Sequence, residues 1–320
     1  MSKLSVVILN WNGRHHLERF LPSVVSHTQG DAEVVVADNG STDDSLAWLR
    51  LNYPDVRVVR LDQNYGFAGG YNRALKAVDS PYCLLLNSDV EVTEGWWQPL
   101  VEILDNEADV AAVAPKLRSV DHPDYFEYAG AAGGFIDYLG YPFCRGRILS
   151  TVERDEGQYD KRRDIFWASG AALCLRRDAF FEVGGFDESF FAHMEEIDLQ
   201  WRMQLASWRI VVEPRSVVYH LGGGTLPVSS RKIYLNHRNN LAMLYKCSSP
   251  MQRLCVAVVR PFTDAATAIA HLLTLHPQRC WAVVRAWGSF IAWHPRLSRC
   301  RKEVKRSRKV GNIYTFSIVV

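Results

Sequence analysis

The chain has 320 residues, 48% hydrophobic and 22% charged, with a net charge of +2, enough apolar material for one large core or two ordinary ones. Seven cysteines, an odd number without any CxxC pair, exclude a zinc-finger site and a disulfide framework and point to a reducing compartment. The charge is uneven: residues 296–309 (RLSRCRKEVKRSRK) hold eight Lys or Arg against one Glu, which is +7, so the remainder carries about −5.

The N-terminal apolar run is too short for a signal peptide. Residues 4–9 (LSVVIL) read as a strand. Residues 14–27 place Leu17, Phe20, Leu21, Val24 and Val25 at helical spacing. Residues 33–37 (EVVVA) form a second strand, and Ser41 is the expected N-cap of a helix carrying Leu46, Leu49 and Leu51. A strand at 56–59, a helix at 68–78, a strand at 82–86, a helix at 95–104 and a strand at 110–114 follow. Solid apolar strands alternating with helices predict an α/β fold, a parallel sheet covered on both faces. Residues 119–164 lack periodicity and read as a long excursion over one face. Regular structure resumes at 165–176, with a helix near 195–206 and strands near 209–212 and 217–219.

Beyond residue 228 the chain reads as mostly helical. No charge-free stretch of about 18 apolar residues occurs, so no spanning helix is expected. Residues 250–295 combine apolar stripes with Phe262, Trp281, Trp287, Phe290 and Trp293 beside the basic segment. Two readings follow: an anchor lying on an anionic membrane surface through residues 250–309, or a helical packing appendage. The basic segment lacks interleaved aromatics, and no nucleic-acid partner is expected. The chain thus divides into an α/β domain, 1–247, and a basic helical extension, 248–320.

In open α/β sheets, ligands bind beyond the carboxyl ends of the strands. Polar groups stand at four such places: Asn10-Trp11-Asn12-Gly13, Asp38-Asn39-Gly40-Ser41, Asn64-Tyr65-Gly66 and Asn87-Ser88-Asp89. Turn chemistry explains any one of them; four on one rim point to a ligand. Asp38 can accept the imide N–H of a uracil or thymine ring. The glycine-rich run from Asn64 through Gly66 to Asn72 opens a helix, and free N–H groups there suit phosphate. It is neither GxGxxG nor a P-loop, so a dinucleotide site or an NTPase is unsupported. Asp89 is one strong ligand for a divalent ion that arrives with a diphosphate. Glu195, Glu196 and Asp198 crowd the first turn of the next helix. Glu195 and Glu196 point away from its apolar stripe, and the helix dipole favours their ionised, proton-accepting form; Asp198 pairs with Arg202. His220 closes a strand, and Gly222-Gly223-Gly224 after it suit close backbone approach to a ligand.

VVILNWNG, VVADNGSTDDS, NYGFAGGYNRAL, LLLNSDVEV, SGAALCLRRDAFFEVGGFDESFFAHMEEIDLQWR, YHLGGGT and YLNHRNNLAMLYK together resemble family 2 glycosyltransferases of the GT-A fold, most of all the bacterial rhamnosyltransferase-like branch, over residues 4–246. The resemblance implies an inverting, metal-dependent transfer of a sugar, such as rhamnose, from a UDP or dTDP donor. The acceptor would be a hydroxyl of a glycan or lipid-linked saccharide in cell-surface polysaccharide synthesis. It implies Mg²⁺ or Mn²⁺ on Asp89 with His220, and Glu196 as base beside Glu195. It implies a donor site built from Asn10, Asn12, Asp38, Asn64, Gly66, Asn72, Asn87, Trp167 and Gly170. Asn87 stands where relatives carry the first Asp of DxD, and Glu196 where many carry Asp. The implied location is the cytoplasmic face of the cell membrane. A processive synthase would need QxxRW and spanning helices; QLASWR at 204–209 has Trp and Arg in the wrong order. The alternative from another class is a catalytically weak sugar-nucleotide-binding or scaffold subunit of a membrane-associated assembly complex.

Overall fold

A computed structural model describes residues 2–222 and 229–311; Gly223 and Gly224 of the glycine triplet lie outside them. The first half runs β1 (Leu4–Asn10), α1 (Arg14–His27), β2 (Ala32–Asp38), α2 (Ser45–Asn52), β3 (Arg57–Arg60), α3 (Gly66–Ala74), β4 (Tyr82–Asn87), β5 (Val90–Val92), α4 (Gln98–Asn106) and β6 (Val110–Ser119). These elements match the apolar periodicity to within a few residues at each end. Ser41 does not cap α2, which starts four residues later without a side-chain cap; its hydroxyl instead accepts from Asn10 Nδ2 and the Asn12 N–H.

The aperiodic stretch contains only short pairs: β7 (Gly134–Ile136) with β8 (Pro142–Cys144), and β9 (Arg147–Ile148) with β10 (Thr151–Val152). Then come β11 (Arg163–Asp164), β12 (Ala172–Arg176), α5 (Arg177–Glu182), a 3-10 turn at Glu188–Phe190, α6 (Glu195–Leu205) and β13 (Arg209–His220). The two strands expected at 209–212 and 217–219 are this one strand, irregular between Glu213 and Val217.

The central sheet is nine-stranded, in the order β11-β13-β6-β12-β4-β1-β2-β3, with β5 added on β13. β1, β2, β3, β4 and β6 share one direction, and β13 runs parallel to β6. The sheet is mostly parallel, as expected, with three exceptions: β12 inserts antiparallel between β4 and β6, and β5 and β11 are antiparallel to β13. Apolar runs specify burial on both faces but carry no direction. Alternation along the strands splits the core. Val7, Val35 and Leu85 face α3, α5 and α6, while Val6, Ile8, Val36 and Leu84 face α1, α2 and α4. Burying each such side chain contributes roughly 1.5–3 kcal/mol.

α7 (Ser230–Cys247), α8 (Pro250–Leu273), α9 (Pro277–Ala292) and α10 (His294–Ser307) complete the chain. The first core cluster continues into Val256, Leu297 and Val304 of these helices. A buried ionic network joins the same parts: Lys246 Nζ lies 2.7 Å from Asp187 and 2.8 Å from Asp198, Arg202 pairs with Asp198, and Arg296 pairs with Asp187. The basic segment is therefore largely a docked helix. Arg301 donates to the carbonyls of Tyr245, Lys246 and Ser248, leaving Arg299, Lys302, Lys305 and Arg306 exposed.

No spanning helix is expected from the sequence, on the ground that no charge-free apolar stretch is long enough. By length and composition α8 is long and apolar enough to cross a bilayer. A charge-free criterion passes over α8 because the helix carries Arg253, Arg260 and Asp264. Arg260 and Asp264 are buried against the domain, where Arg260 donates to Asn240 Oδ1 at 2.7 Å and to Leu139 O. The opposite side exposes Leu254, Val258, Phe262, Ile269, Leu272 and Leu273.

Candidate active site

Strand register sets the rim. Asn10 pairs with Asp38, and Leu9 with Asn87, so three polar side chains end adjacent strands at one level. Asn10 and Asp38 are buried. Asn10 Nδ2 donates to Asp38 Oδ1 at 3.3 Å, and Asp38 Oδ2 accepts the Ser41 N–H. Asn12, at φ 51, holds the loop with its side-chain oxygen on the N–H groups of Thr42 and Asp43. Asn10 Oδ1 is buried with no hydrogen-bond partner among the described residues. Such a buried acceptor commonly marks a place for a donor from outside the protein.

The glycine-rich segment is locked onto this rim. Asn39 Nδ2 donates to Asn64 Oδ1 and Gly66 O, and Asn64 Oδ1 accepts the Gly66 N–H. Gly66 has φ +70, and a Cβ there would lie 2.6 Å from the Phe191 ring and 2.7 Å from its carbonyl oxygen. Asn72 stands apart from the rim group: its amide is used in both directions on the Phe186 backbone, donating to O and accepting from N–H.

Asp89 and His220 meet because β5 pairs with β13, placing Val90 opposite His220. His220 Nε2 lies 3.2 Å from Asp89 Oδ1 and 3.4 Å from Asn87 Nδ2, and Nδ1 faces Glu127 Oε1 at 3.4 Å. Burial opposes charge on His220, but Asp89 and Glu127 more than offset it and raise the imidazole to about 9. Burial also works against the Asp89 carboxylate, and His220 outweighs it and lowers the pKa. Carboxylate oxygen, imidazole nitrogen and amide converge here, a donor set that suits a hard-to-borderline divalent ion. Among the described residues no group of three His, Cys, Asp or Glu is arranged to hold an ion by itself. The set fits an ion that takes further ligands from a diphosphate. Glu127, in the aperiodic stretch, had no sequence signal. It borders, with His220, Tyr125 and Tyr128, a cavity of about 510 Å³.

Glu195 and Glu196 open α6. Burial works against the two ionised carboxylates expected here: it raises Glu196 to about 7, and burial together with the neighbouring Glu196 charge raises Glu195 well above its ordinary value. Desolvation outweighs the helix dipole because this turn faces inward. Each carboxyl has one oxygen, Oε2, sealed from solvent with no partner among the described residues. Asp198 pairs with Arg202 at 2.9 Å, as its spacing implied.

The chain reaches α6 through residues 188–194, where Phe191, His193 and Met194 all have positive φ. Asn239 of α7 fixes this bend, donating to the carbonyls of Phe190, Ala192 and His193. Residues 167–171 bridge from α6 to the rim. Gln200 exchanges two hydrogen bonds with Ala168 and donates to Glu196 O, while Ala171 O accepts the Asn87 N–H. Gly170 packs on Phe67, where a Cβ would come within 2.9 Å of the ring. Trp167 is buried beside Gly134 and donates to Phe135 O at 2.8 Å.

The family model for glycosyl transferase family 2 matches residues 5–183. The N-acetylglucosaminyl-diphospho-decaprenol L-rhamnosyltransferase of Mycobacterium tuberculosis is 32% identical over 235 residues, 68% of this chain and 75% of its own. Among solved structures, S. aureus TarS 1-349 in complex with UDP-GlcNAc superposes with a TM-score of 0.57 at 19% identity, over 95% of this chain and 89% of that one. GalNAc-T7 with UDP, GalNAc and Mn²⁺ gives 0.63 at 18% identity over 82% of this chain, which spans 51% of that longer one. At these identities the structures establish a shared GT-A fold.

Proposed function

The chain belongs to glycosyl transferase family 2, and from that premise we propose that it is an inverting, metal-dependent enzyme moving a sugar from a UDP or dTDP donor to a saccharide hydroxyl. The observation that carries this reading is the Glu195–Glu196 pair, Glu195 buried and Glu196 half-buried, each with a sealed oxygen without a partner among the described residues, tied through residues 167–171 to a rim bearing Asp38, Asn87 and Asp89. A carboxyl held near 7 suits proton transfer at neutral pH.

Asp38 and Asn10 read the pyrimidine, and the glycine-rich start of α3 receives phosphate. Asp89, and His220 once it has released its proton, would hold Mg²⁺ or Mn²⁺, with Asn87 beside them. A bound ion supplies charge neutralisation for the departing diphosphate. The Glu196 carboxylate takes the acceptor hydroxyl's proton as that oxygen bonds to the anomeric carbon. The bond from that carbon to the diphosphate breaks on the opposite face, so nucleoside diphosphate leaves and configuration inverts. Glu195, its carboxyl raised well above its ordinary value by burial and then by the Glu196 charge, shapes the pocket without competing for the proton. The Mycobacterium relative supports a deoxyhexose such as rhamnose as cargo and a lipid-linked saccharide as acceptor in cell-surface glycan synthesis. The exposed apolar side of α8 and the free cations of α10 support attachment to an anionic membrane surface. Seven free thiols fit the cytoplasmic side.

The test is release of nucleoside diphosphate with Mn²⁺, a panel of sugar nucleotides and lipid-linked acceptors. Acceptor-dependent release lost in both Asp89→Ala and Glu196→Gln is expected. Wild-type turnover that survives both substitutions would overturn the site assignment.

A further inference from the structure

A second cavity, of about 540 Å³, opens between α7 and α9, over the bend that leads to Glu195. It is lined by Ser189 and Phe191 of the bend, by Arg231, Tyr234 and Arg238 of α7, and by Trp281 and Arg285 of α9. No acidic residue lines it. The acids of the bend are engaged elsewhere, Asp187 with Lys246 and Arg296, and Glu188 with Arg73. Arg231, Arg238 and Arg285 have no carboxylate partner among the described residues. Arg231 lies over the Phe191 ring at 5.4 Å, Arg285 over Tyr234 at 4.5 Å, and Arg238 donates to backbone carbonyls and the Tyr234 hydroxyl. Three guanidinium groups converging on an acid-free cavity of this size suit a multiply charged phosphate ester. The mouth is apolar. Trp281 is 65% exposed, and Leu272, Leu273 and Leu275, just ahead of α9, are exposed as well.

We infer that this cavity binds the diphosphate of a polyprenyl-diphosphate-linked acceptor, its lipid leaving over Trp281 and the α8–α9 corner and its sugar reaching toward Glu196 across Phe191. The inference rests on the glycosyltransferase reading and deepens it. Two facts favour the acceptor over a membrane headgroup: the cavity floor is the bend that leads into α6, whose first turn holds the proposed base, and the free cations of α10 offer headgroups a separate surface. It predicts that Arg231 and Arg285, both exposed and outside the core, discriminate for diphosphate.

Calorimetry with farnesyl diphosphate needs no turnover and so separates this inference from the catalytic one. Wild type should bind it, and Arg231→Ala/Arg285→Ala should bind at least about tenfold more weakly at an unchanged melting temperature, as expected for losing two charge-assisted contacts. The same variant should show a similarly raised KM for a prenyl-diphosphate-linked acceptor. Equal binding of farnesyl diphosphate by both proteins would overturn the assignment. So would a variant whose defect is confined to flotation with anionic vesicles, which would make the cavity a headgroup site. Competition by inorganic pyrophosphate equal to that of farnesyl diphosphate would remove the lipid from the assignment.

Discussion

Glu196 is the residue at which burial and chemistry meet. Its carboxyl is moved from 4.5 to about 7 by desolvation, so the proton-accepting form is scarce in mild acid. Accordingly kcat/KM should fall about tenfold per pH unit below about 7 and level off above it, measured with saturating metal. Glu196→Gln should lower kcat by about 10²–10⁴ while leaving donor affinity near wild type, as read by calorimetry with a nucleoside diphosphate. The same shift has a stability consequence. A carboxyl whose pKa is raised on folding contributes stability that is complete below its unfolded value and is lost as pH rises through the folded one. The melting temperature of Glu196→Gln relative to wild type should therefore increase between about pH 5 and about pH 8; a pH-independent difference would contradict the raised pKa. Much of the site was legible residue by residue: polar side chains directly after apolar strands named Asn10, Asp38, Asn87 and Asp89. The protonation of Glu195 and Glu196 was not, because an acidic first turn looks the same whether it faces water or protein. Glu127 was invisible because nothing in an aperiodic stretch marks one Glu among others.

At the scale of elements, the bend at 188–194 depends on partners from distant parts of the chain. Asn239 caps three of its carbonyls from α7, and Gly66 admits Phe191 from the start of α3. Asn239→Ala removes the amide donor to the part-buried Ala192 and His193 carbonyls, while Phe190 O keeps Arg238 and the Ala192 N–H; it should cost about 1–3 kcal/mol by denaturant unfolding, with a fall in kcat larger than in donor affinity. Gly66→Ala forces a side chain into a left-handed backbone and against the Phe191 carbonyl, a strain of about 1–3 kcal/mol. It should release the same bend, giving the same kinetic signature. Sequence periodicity placed β1 to β4 and α1 well because each is a solid apolar run or a helical stripe. It could not place β12, whose ALCLR is as apolar as a parallel strand and carries no mark of direction. Nor could it foresee that Ser41 serves the loop after β1 instead of the helix ahead of it.

For the whole molecule, the C-terminal helices are bound to the sheet domain by charge as well as by apolar contact. Lys246→Met leaves Asp187 and Asp198, both buried, short of a cation, and should destabilise the fold by about 3–5 kcal/mol, seen as a lowered melting temperature. The outward side of α8 is a separate matter. Phe262→Asp with Leu272→Glu changes only exposed positions, so the fold should persist while flotation with anionic vesicles is lost; unchanged flotation would argue that this side meets a protein. The pairing of Asp89 with His220 reaches furthest. Asn87 and His220 are 133 positions apart, and their side chains converge only when β13 has found both β5 and β6. Closing a loop of that length is slow, so a growing chain carries the rim of the site long before it carries a usable one. On the proposed site assignment, a nascent chain whose last strand is not yet in register would lack the means of capturing metal and nucleotide together. Gain of nucleotide affinity during refolding would thus serve as a clock for completion of the sheet.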